Sequence, residues 1–257
     1  MTSAEFSGKK VLITGGTKGL GFSCAKLFAG GGAETVFITY RSDHEQAKQA
    51  VEEVRRLGAQ CEAISNDLSE EGASDQLFNL ISSKTERLDF YIHNAAATAF
   101  KDLMEIKSHH IDKTLNITVK SFILNVQRAS ALMAHGGAIV SVSGMDTLKA
   151  VPRHGLLGAA KSALETLTAY WAHELASKNI RVNGVNPGFF NTESTRKYLG
   201  SQFEAVNKAF SRLAPLKREP RLEEIARIIL FLCSEQAGWV VGQTVKVDGG
   251  QDFALPF

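Results

Sequence analysis

The stretch Val11-Leu12-Ile13-Thr14-Gly15-Gly16-Thr17-Lys18-Gly19-Leu20-Gly21-Phe22-Ser23-Cys24-Ala25-Lys26-Leu27-Phe28 decides the fold. Val11 to Thr14 is a short apolar run of strand length, and from Gly21 to Ala29 the apolar residues recur at helical spacing. The glycines between them permit a tight turn and a close approach of the backbone. A helix that starts there presents free N–H groups and positive potential to a pyrophosphate. A glycine-rich surface turn is the plain alternative, and a strand before with a helix after weighs against it.

Outward from this stretch, short apolar runs alternate with longer amphipathic ones. Val11–Thr14, Thr35–Tyr40, Gln60–Ser65, Leu88–His93, Ala138–Ser143, Ile180–Asn186 and Thr244–Val247 read as seven strands. Gly21–Ala29, Glu45–Leu57, Gly72–Ser83, Ile111–Met133, Gly158–Ser177 and Leu222–Ser234 read as helices long enough to be crossovers. The pattern predicts a single α/β domain over residues 1–257, with a seven-stranded, doubly wound parallel sheet and helices on both faces. In such sheets ligands bind beyond the carboxyl ends of the strands, so the residues just after each strand carry the functional reading.

The 257 residues carry 29 Lys and Arg against 27 Asp and Glu, a formal charge of +2, without a long block of either sign. No field is offered to nucleic acid or to a membrane surface, and a small-molecule partner is expected. Cys24, Cys61 and Cys233 are scattered and odd in number, which predicts neither a disulfide framework nor a zinc site, and no other cluster has metal-ligand spacing. With no apolar run of signal-peptide or membrane-span type, the expected location is the cytoplasm.

The spacing of Gly15, Gly19 and Gly21 resembles the TGxxxGxG signature of the short-chain dehydrogenase/reductase superfamily. Further motifs follow in family order. They are Asn66-Asp67-Leu68 after the third strand, His93-Asn94-Ala95-Ala96 where the family has NNAG, Asn116 in a helix, Asn186-Pro187-Gly188, and Val247-Asp248-Gly249-Gly250. The resemblance covers nearly the whole chain and implies a Rossmann fold that binds a nicotinamide dinucleotide. The implied contacts are Gly15, Thr17, Lys18, Gly19, Leu20, Gly21, Asp67, Leu68, Asn94, Ala95, Lys161, Pro187, Gly188 and Thr192. After the second strand, where an acidic residue usually meets the adenosine ribose, stand Tyr40, Arg41 and Ser42. Arg41, with Lys18 as a second cation, suits the 2′-phosphate of NADPH. The alternative leaves Arg41 as a solvated side chain and gives Asp43 the ribose of NADH.

At the catalytic positions the family pattern breaks. Lys161 stands in the right context, but the tyrosine position four residues earlier is Leu157, and the serine position is Gly144, preceded by Ser143. The stretch from Val151 to Lys161 instead resembles the enoyl-acyl-carrier-protein reductase branch, whose tyrosine lies seven residues before the lysine. That position is His154. Reduction of a conjugated double bond leaves charge on the thioester oxygen, and an imidazole N–H can meet it. The implied roles are His154 as donor, Lys161 as ribose anchor, and Asn116 as support for the lysine, directly or through water. The bland readings place His154 on the surface of a loop, make Ser143 a strand-end residue, and leave His109 and His110 as solvated cap residues.

Gly188–Arg221 resembles the family's substrate lid, with Phe189, Phe190, Tyr198, Leu199, Phe203 and Phe210 either closing over an acyl chain or packing as a helical pair. Lys149, Arg153, Arg196 and Lys197 are placed by the resemblance near the mouth, where phosphopantetheine, coenzyme A or an acidic carrier protein would arrive. Apolar residues on more than one face of the helices at 111–133 and 158–177 predict a homodimer or homotetramer. The leading function is an NADPH-dependent enoyl-thioester reductase. The alternatives are an atypical ketone or enone reductase, and a non-redox isomerase, cyclase, dehydratase or binder on the same fold.

Overall fold

The computed structural model describes residues 5–253. Seven strands, β1 (Lys10–Ile13), β2 (Thr35–Tyr40), β3 (Gln60–Ser65), β4 (Phe90–His93), β5 (Gly137–Val142), β6 (Ile180–Asn186) and β7 (Thr244–Lys246), form one sheet in the order β3-β2-β1-β4-β5-β6-β7. Every pairing is parallel. The order reverses between β1 and β4, and that switch point opens the crevice in which such sheets bind ligands.

Alternation along β1 explains the layering. Val11 and Ile13 face one layer with Phe28, Ala50 and Ile229, from α1 (Gly19–Gly30), α2 (His44–Arg56) and α9 (Leu222–Cys233). Leu12 faces the other, with Leu77, Phe122 and Leu164 from α3 (Ala73–Ser82), α5 (Ser121–Ala131) and α6 (Gly155–Leu175). With both faces covered, the strands read as apolar throughout, and each fully buried Phe, Leu or Ile contributes about 1.5–3 kcal/mol. Cys24, Cys61 and Cys233 are buried free thiols within this packing. Burial pushes all three thiols up, that of Cys61 to about 12.

The structure corrects several boundaries. β4 starts at Phe90 rather than Leu88, because the Leu88 N–H donates to the Leu132 carbonyl at 2.9 Å instead of joining the ladder. α6 begins three residues before the expected Gly158, with His154 as its cap residue and the Gly158 N–H bonded to the His154 carbonyl at 2.8 Å. The helix read as continuous from Ile111 to Met133 is divided into α4 (Ser108–Leu115), a π-helical turn over Asn116–Lys120, and α5. In that wider turn the Ser121 N–H reaches back to the Asn116 carbonyl, and the Ser121 hydroxyl bonds the Ile117 carbonyl at 2.5 Å. Buried His93 donates from Nε2 to the Thr118 carbonyl at 3.0 Å. A carbonyl only accepts, so the proton is on Nε2, and Nδ1 accepts from the Tyr91 hydroxyl at 2.8 Å. Burial, aided by the charge of Lys161, pushes the His93 imidazole down to about 3 and keeps it neutral. The histidine in the NNAG-like position thus ties the end of β4 to the π turn.

The segment 188–221, expected to be a lid, holds α7 (Glu193–Leu199) and α8 (Phe203–Leu213). Among the described residues no helix is long and apolar enough to cross a membrane, and no group of three or more His, Cys, Asp or Glu could hold a metal ion.

Candidate active site

The glycine turn is pinned from both sides at the switch point. The Asn94 side-chain amide donates to the carbonyls of Thr14 at 3.0 Å and Gly15 at 3.1 Å, and the Gly15 N–H bonds the Thr39 hydroxyl at 3.2 Å. A Cβ on Gly21 would lie 2.4 Å from the Gly15 carbonyl oxygen and 2.7 Å from the Asn94 amide nitrogen, so only glycine lets α1 start this close to the loop. Gly19, at φ +58°, has nothing within 4 Å of its missing Cβ. Lys18 caps α1 without a side-chain hydrogen bond, so the first N–H groups of the helix remain available to an anion.

Above this turn runs a cleft of about 520 Å³ lined by the ends of β2 and β5, the loops that follow β1, β3 and β4, the start of α6, and residues of the 188–221 segment. Gly15, Thr17, Lys18, Gly19, Leu20, Arg41, Ser42, Asp67, Leu68, Asn94, Ala95, His154, Lys161 and Thr192 all line it. Gly21, Asn116, Pro187 and Gly188 do not. Gly21 shapes the turn from behind, and Gly188, at φ +66°, packs against Asp248 and Gln251 of the carboxyl-terminal motif. The residues fit a dinucleotide. At the expected adenine end Asn66 has a buried carboxamide oxygen with no partner in the protein, free to accept from an amino group. Partial burial would raise the Asp67 carboxyl, but hydrogen bonds from Ser69 and the charges of Arg41 and Lys113 outweigh it and hold the group below the usual carboxylate range. Asp43 lines the cleft too, but its oxygen accepts from the Gln46 N–H at 3.0 Å as the cap of α2. Lys18 differs from expectation: its ammonium pairs with Glu193 of α7 at 2.6 Å, bridging the glycine turn to the lid, and Arg41 is the exposed cation of the ribose end.

Lys161 is 6% exposed, and its ammonium donates to the Val142 carbonyl at 2.6 Å. Burial pushes it down to about 8, against the opposing pull of Asp146. No hydrogen bond joins Asn116 to Lys161; Asn116 instead opens the π turn with its carbonyl. Ser143, at the end of β5, is no free donor, since its hydroxyl is held by Glu165, which also accepts from Thr147 at 2.9 Å and Asn186 at 3.3 Å.

His154 lies in the cleft wall beside Leu157. Its ring forms a three-ring cluster with Phe100, at 5.1 Å between centroids, and Tyr198 of α7, at 4.5 Å, which are themselves 4.7 Å apart. Its Nδ1 stands 3.5 Å from Asp146 Oδ2, and its Nε2 is buried with no partner among the described residues. Asp146 and Phe100 were not singled out in the sequence, because neither sits at a motif position; a short turn and a long loop bring them to the ring. The lid aromatics divide between their two readings. Phe189 stacks on Phe210 at 4.5 Å and Phe203 is buried, so these three pack the helical pair, whereas Phe190 and Tyr198 line the cleft. The Tyr198 hydroxyl also donates to the Pro152 carbonyl at 2.6 Å.

An open parallel sheet with a glycine cradle at its switch point and a buried lysine facing the same cleft defines a dinucleotide-dependent oxidoreductase. The family model for enoyl-(acyl carrier protein) reductase matches residues 15–252. The 1-cyclohexenylcarbonyl-CoA reductase of Streptomyces collinus is 33% identical over 245 residues, 95% of this chain and 87% of that protein. The cyclopentanol dehydrogenase of Comamonas sp. (strain NCIMB 9872) is 33% identical over 246 residues, 94% and 96% of the two chains. A short-chain dehydrogenase from Burkholderia cenocepacia J2315, solved in complex with NADP, superimposes with a TM-score of 0.88 at 28% identity, covering 96% of this chain and 99% of the other. The chain belongs to the short-chain dehydrogenase/reductase superfamily of oxidoreductases.

Proposed function

We propose that this protein is an NADPH-dependent reductase of the conjugated carbon–carbon double bond of an enoyl thioester. The observation that carries the reading is the unpartnered Nε2 of His154 in the cleft wall, next to a Leu157 that has no proton to give. The match to the enoyl reductase model and the likeness to a reductase named for a cyclic enoyl-CoA substrate support it.

When bound, NADPH supplies the hydride. The protein's own residues do the rest. Lys161 presents a buried ammonium to the ribose hydroxyls beside the nicotinamide, while the amino end of α1 receives the pyrophosphate. His154 Nε2 donates to the thioester oxygen, where charge gathers as the β-carbon is reduced, and water excluded by Phe100, Phe190 and Tyr198 makes that hydrogen bond stronger. Lys149 and Arg153 line a second cavity that His154 also lines, where the phosphates of coenzyme A or of a carrier's phosphopantetheine would be met. Ile111, Leu115 and Tyr170, exposed on α4 and α6, are the apolar surface through which a homodimer or homotetramer would form.

The test is NADPH oxidation with a panel of enoyl- and ketoacyl-thioesters, products identified by mass spectrometry and NMR. Saturation of the double bond is the expected result. Reduction of a ketone with the double bond untouched would favour the second reading, an alicyclic ketone reductase, which the likeness to cyclopentanol dehydrogenase motivates.

Arg41 gives the cofactor preference a separate check. Arg41→Ala is expected to weaken NADPH binding about tenfold while leaving NADH unchanged, the exposed setting limiting a charge-assisted pair to that size. Fluorescence titration with both cofactors reads it. An unchanged ratio would free Arg41 from the 2′-phosphate.

A further inference from the structure

Asp146 is held in the turn Met145–Thr147, and its side chain is 6% exposed. It lines a second cavity of about 520 Å³ next to the cofactor cleft, with His154 in the wall of both. Between them the two side chains leave two buried polar atoms without hydrogen-bond partners, Asp146 Oδ2 and His154 Nε2. One nitrogen of the ring therefore stands 3.5 Å from a carboxylate, and the residue itself lines the cleft where the substrate would lie.

A carboxylate only accepts, so the ring nitrogen beside it is the one that carries a proton. With the proton on Nδ1, the nitrogen nearer the charge of Asp146, a neutral His154 has only a lone pair at Nε2 and nothing to donate to an oxygen bearing negative charge. Only the imidazolium has a proton there. The other groups around the ring do not favour that cation: the amino end of α6 begins at His154, the buried ammonium of Lys161 follows on the same helix, Arg153 precedes it, and Lys101 lines the second cavity beside Phe100. Tyr198 of α7 contributes a neutral ring, and Asp102, at the second cavity, is the further carboxylate of that wall. Asp146 is the charge that counters them at Nδ1.

We propose that Asp146 is a positioning residue that fixes the Nδ1–H tautomer of His154, so that the imidazolium is the acting acid of the reaction. The inference rests on the enoyl-reductase reading of the cleft. In each turnover the hydride forms the new C–H bond at the β-carbon, the π bond breaks, and its electron pair passes to the thioester oxygen. Nε2 gives up its proton to the substrate, where it ends on the α-carbon. The imidazole is then neutral and takes its next proton from water at Nε2.

The test begins with the wild-type protein, with no substitution that could disturb folding. At a pH where His154 is neutral, ¹⁵N NMR of the assigned imidazole is expected to show a protonated Nδ1 and a pyridine-like Nε2. An Nε2–H tautomer there would overturn the proposal. In Asp146→Asn the amide can donate to Nδ1, and the ring is expected to switch to Nε2–H. The pH profile of kcat/KM for enoyl-thioester reduction gives the second readout. Wild type is expected to lose activity as pH rises, because the acid is being lost. Asp146→Asn is expected to start about tenfold lower at pH 6 and to lose that decline, since its neutral ring can donate weakly throughout. Asp146 also holds Lys161 up, so Asp146→Asn is expected to move the fall due to Lys161 to lower pH as well, and the tautomer read by ¹⁵N NMR is what assigns the change to the Asp146–His154 pair. Superimposable profiles would overturn the role of Asp146 while leaving His154 as donor. Full turnover in His154→Phe would instead overturn the reading beneath it.

Discussion

His154→Phe is expected to reduce enoyl-thioester turnover by about 10²–10⁴-fold, the usual contribution of a positioned general acid, while NADPH affinity stays within about twofold of wild type. Phenylalanine keeps a ring in the cluster with Phe100 and Tyr198, so the wall of the cleft survives and only the nitrogens are lost. The loss should fall on kcat, because the N–H meets charge that exists only as the hydride arrives. Single-turnover NADPH oxidation and cofactor titration on the same preparation separate chemistry from binding. Full turnover would remove the histidine from the mechanism.

Lys161→Met is expected to disable the enzyme and stabilise the fold. The wild-type ammonium sits at 6% exposure with a carbonyl as its one hydrogen-bond partner, and burial moves it from 10.5 to about 8. That displacement corresponds to about 3 kcal/mol. Its sign is fixed by where the protons are: between about pH 8 and 10.5 the unfolded chain holds the lysine proton and the folded chain has released it. The contribution of this group to stability therefore rises with pH across that window, and below it the full cost of burying the charge is present. Methionine has similar length and no charge, so at pH 7 the variant is expected to melt on the order of 5 °C higher, after part of the gain is lost with the Val142 hydrogen bond. Thermal unfolding of both cofactor-free proteins from pH 7 to 10.5 checks the prediction. Wild type should gain on the variant as pH rises; a constant gap would place the lysine charge outside the energetics of the fold.

Much of this was legible in the sequence because strands buried on both faces have only one way to be written. The seven apolar runs and the crossovers between them predict the parallel sheet, and the spacing of Gly15, Gly19 and Gly21 marks its switch point. The helix from Ile111 to Met133 was misread because a π turn does not break apolar periodicity. What widens it is a tertiary contact, His93 to the Thr118 carbonyl, that no local pattern announces. The offset of His154 from Lys161 was legible for the same reason the glycines were, since α6 carries both residues into the cleft. Asp146 was not, being one acidic residue on a turn whose direction depends on the Thr147, Glu165 and Asn186 hydrogen bonds beneath it. The lid aromatics were found as a group, but which of them face the cleft depends on how α7 and α8 pack, and sequence spacing does not set that.

Tyr198 belongs at once to the lid and to the surroundings of the histidine, because it covers one face of the imidazole and grips the Pro152 carbonyl two residues before that ring. On the proposed reading of the 188–221 segment as a lid and of His154 as the donor, the two are therefore one mechanical unit. A substrate too bulky for α7 to settle could still occupy the cleft, yet it would leave the ring uncovered and its loop released from its brace. Size selection in such an enzyme acts on the rate of the chemical step more than on capture. Ill-fitting substrates would behave as tenacious, slowly consumed inhibitors, holding the active site while the well-fitting ones wait.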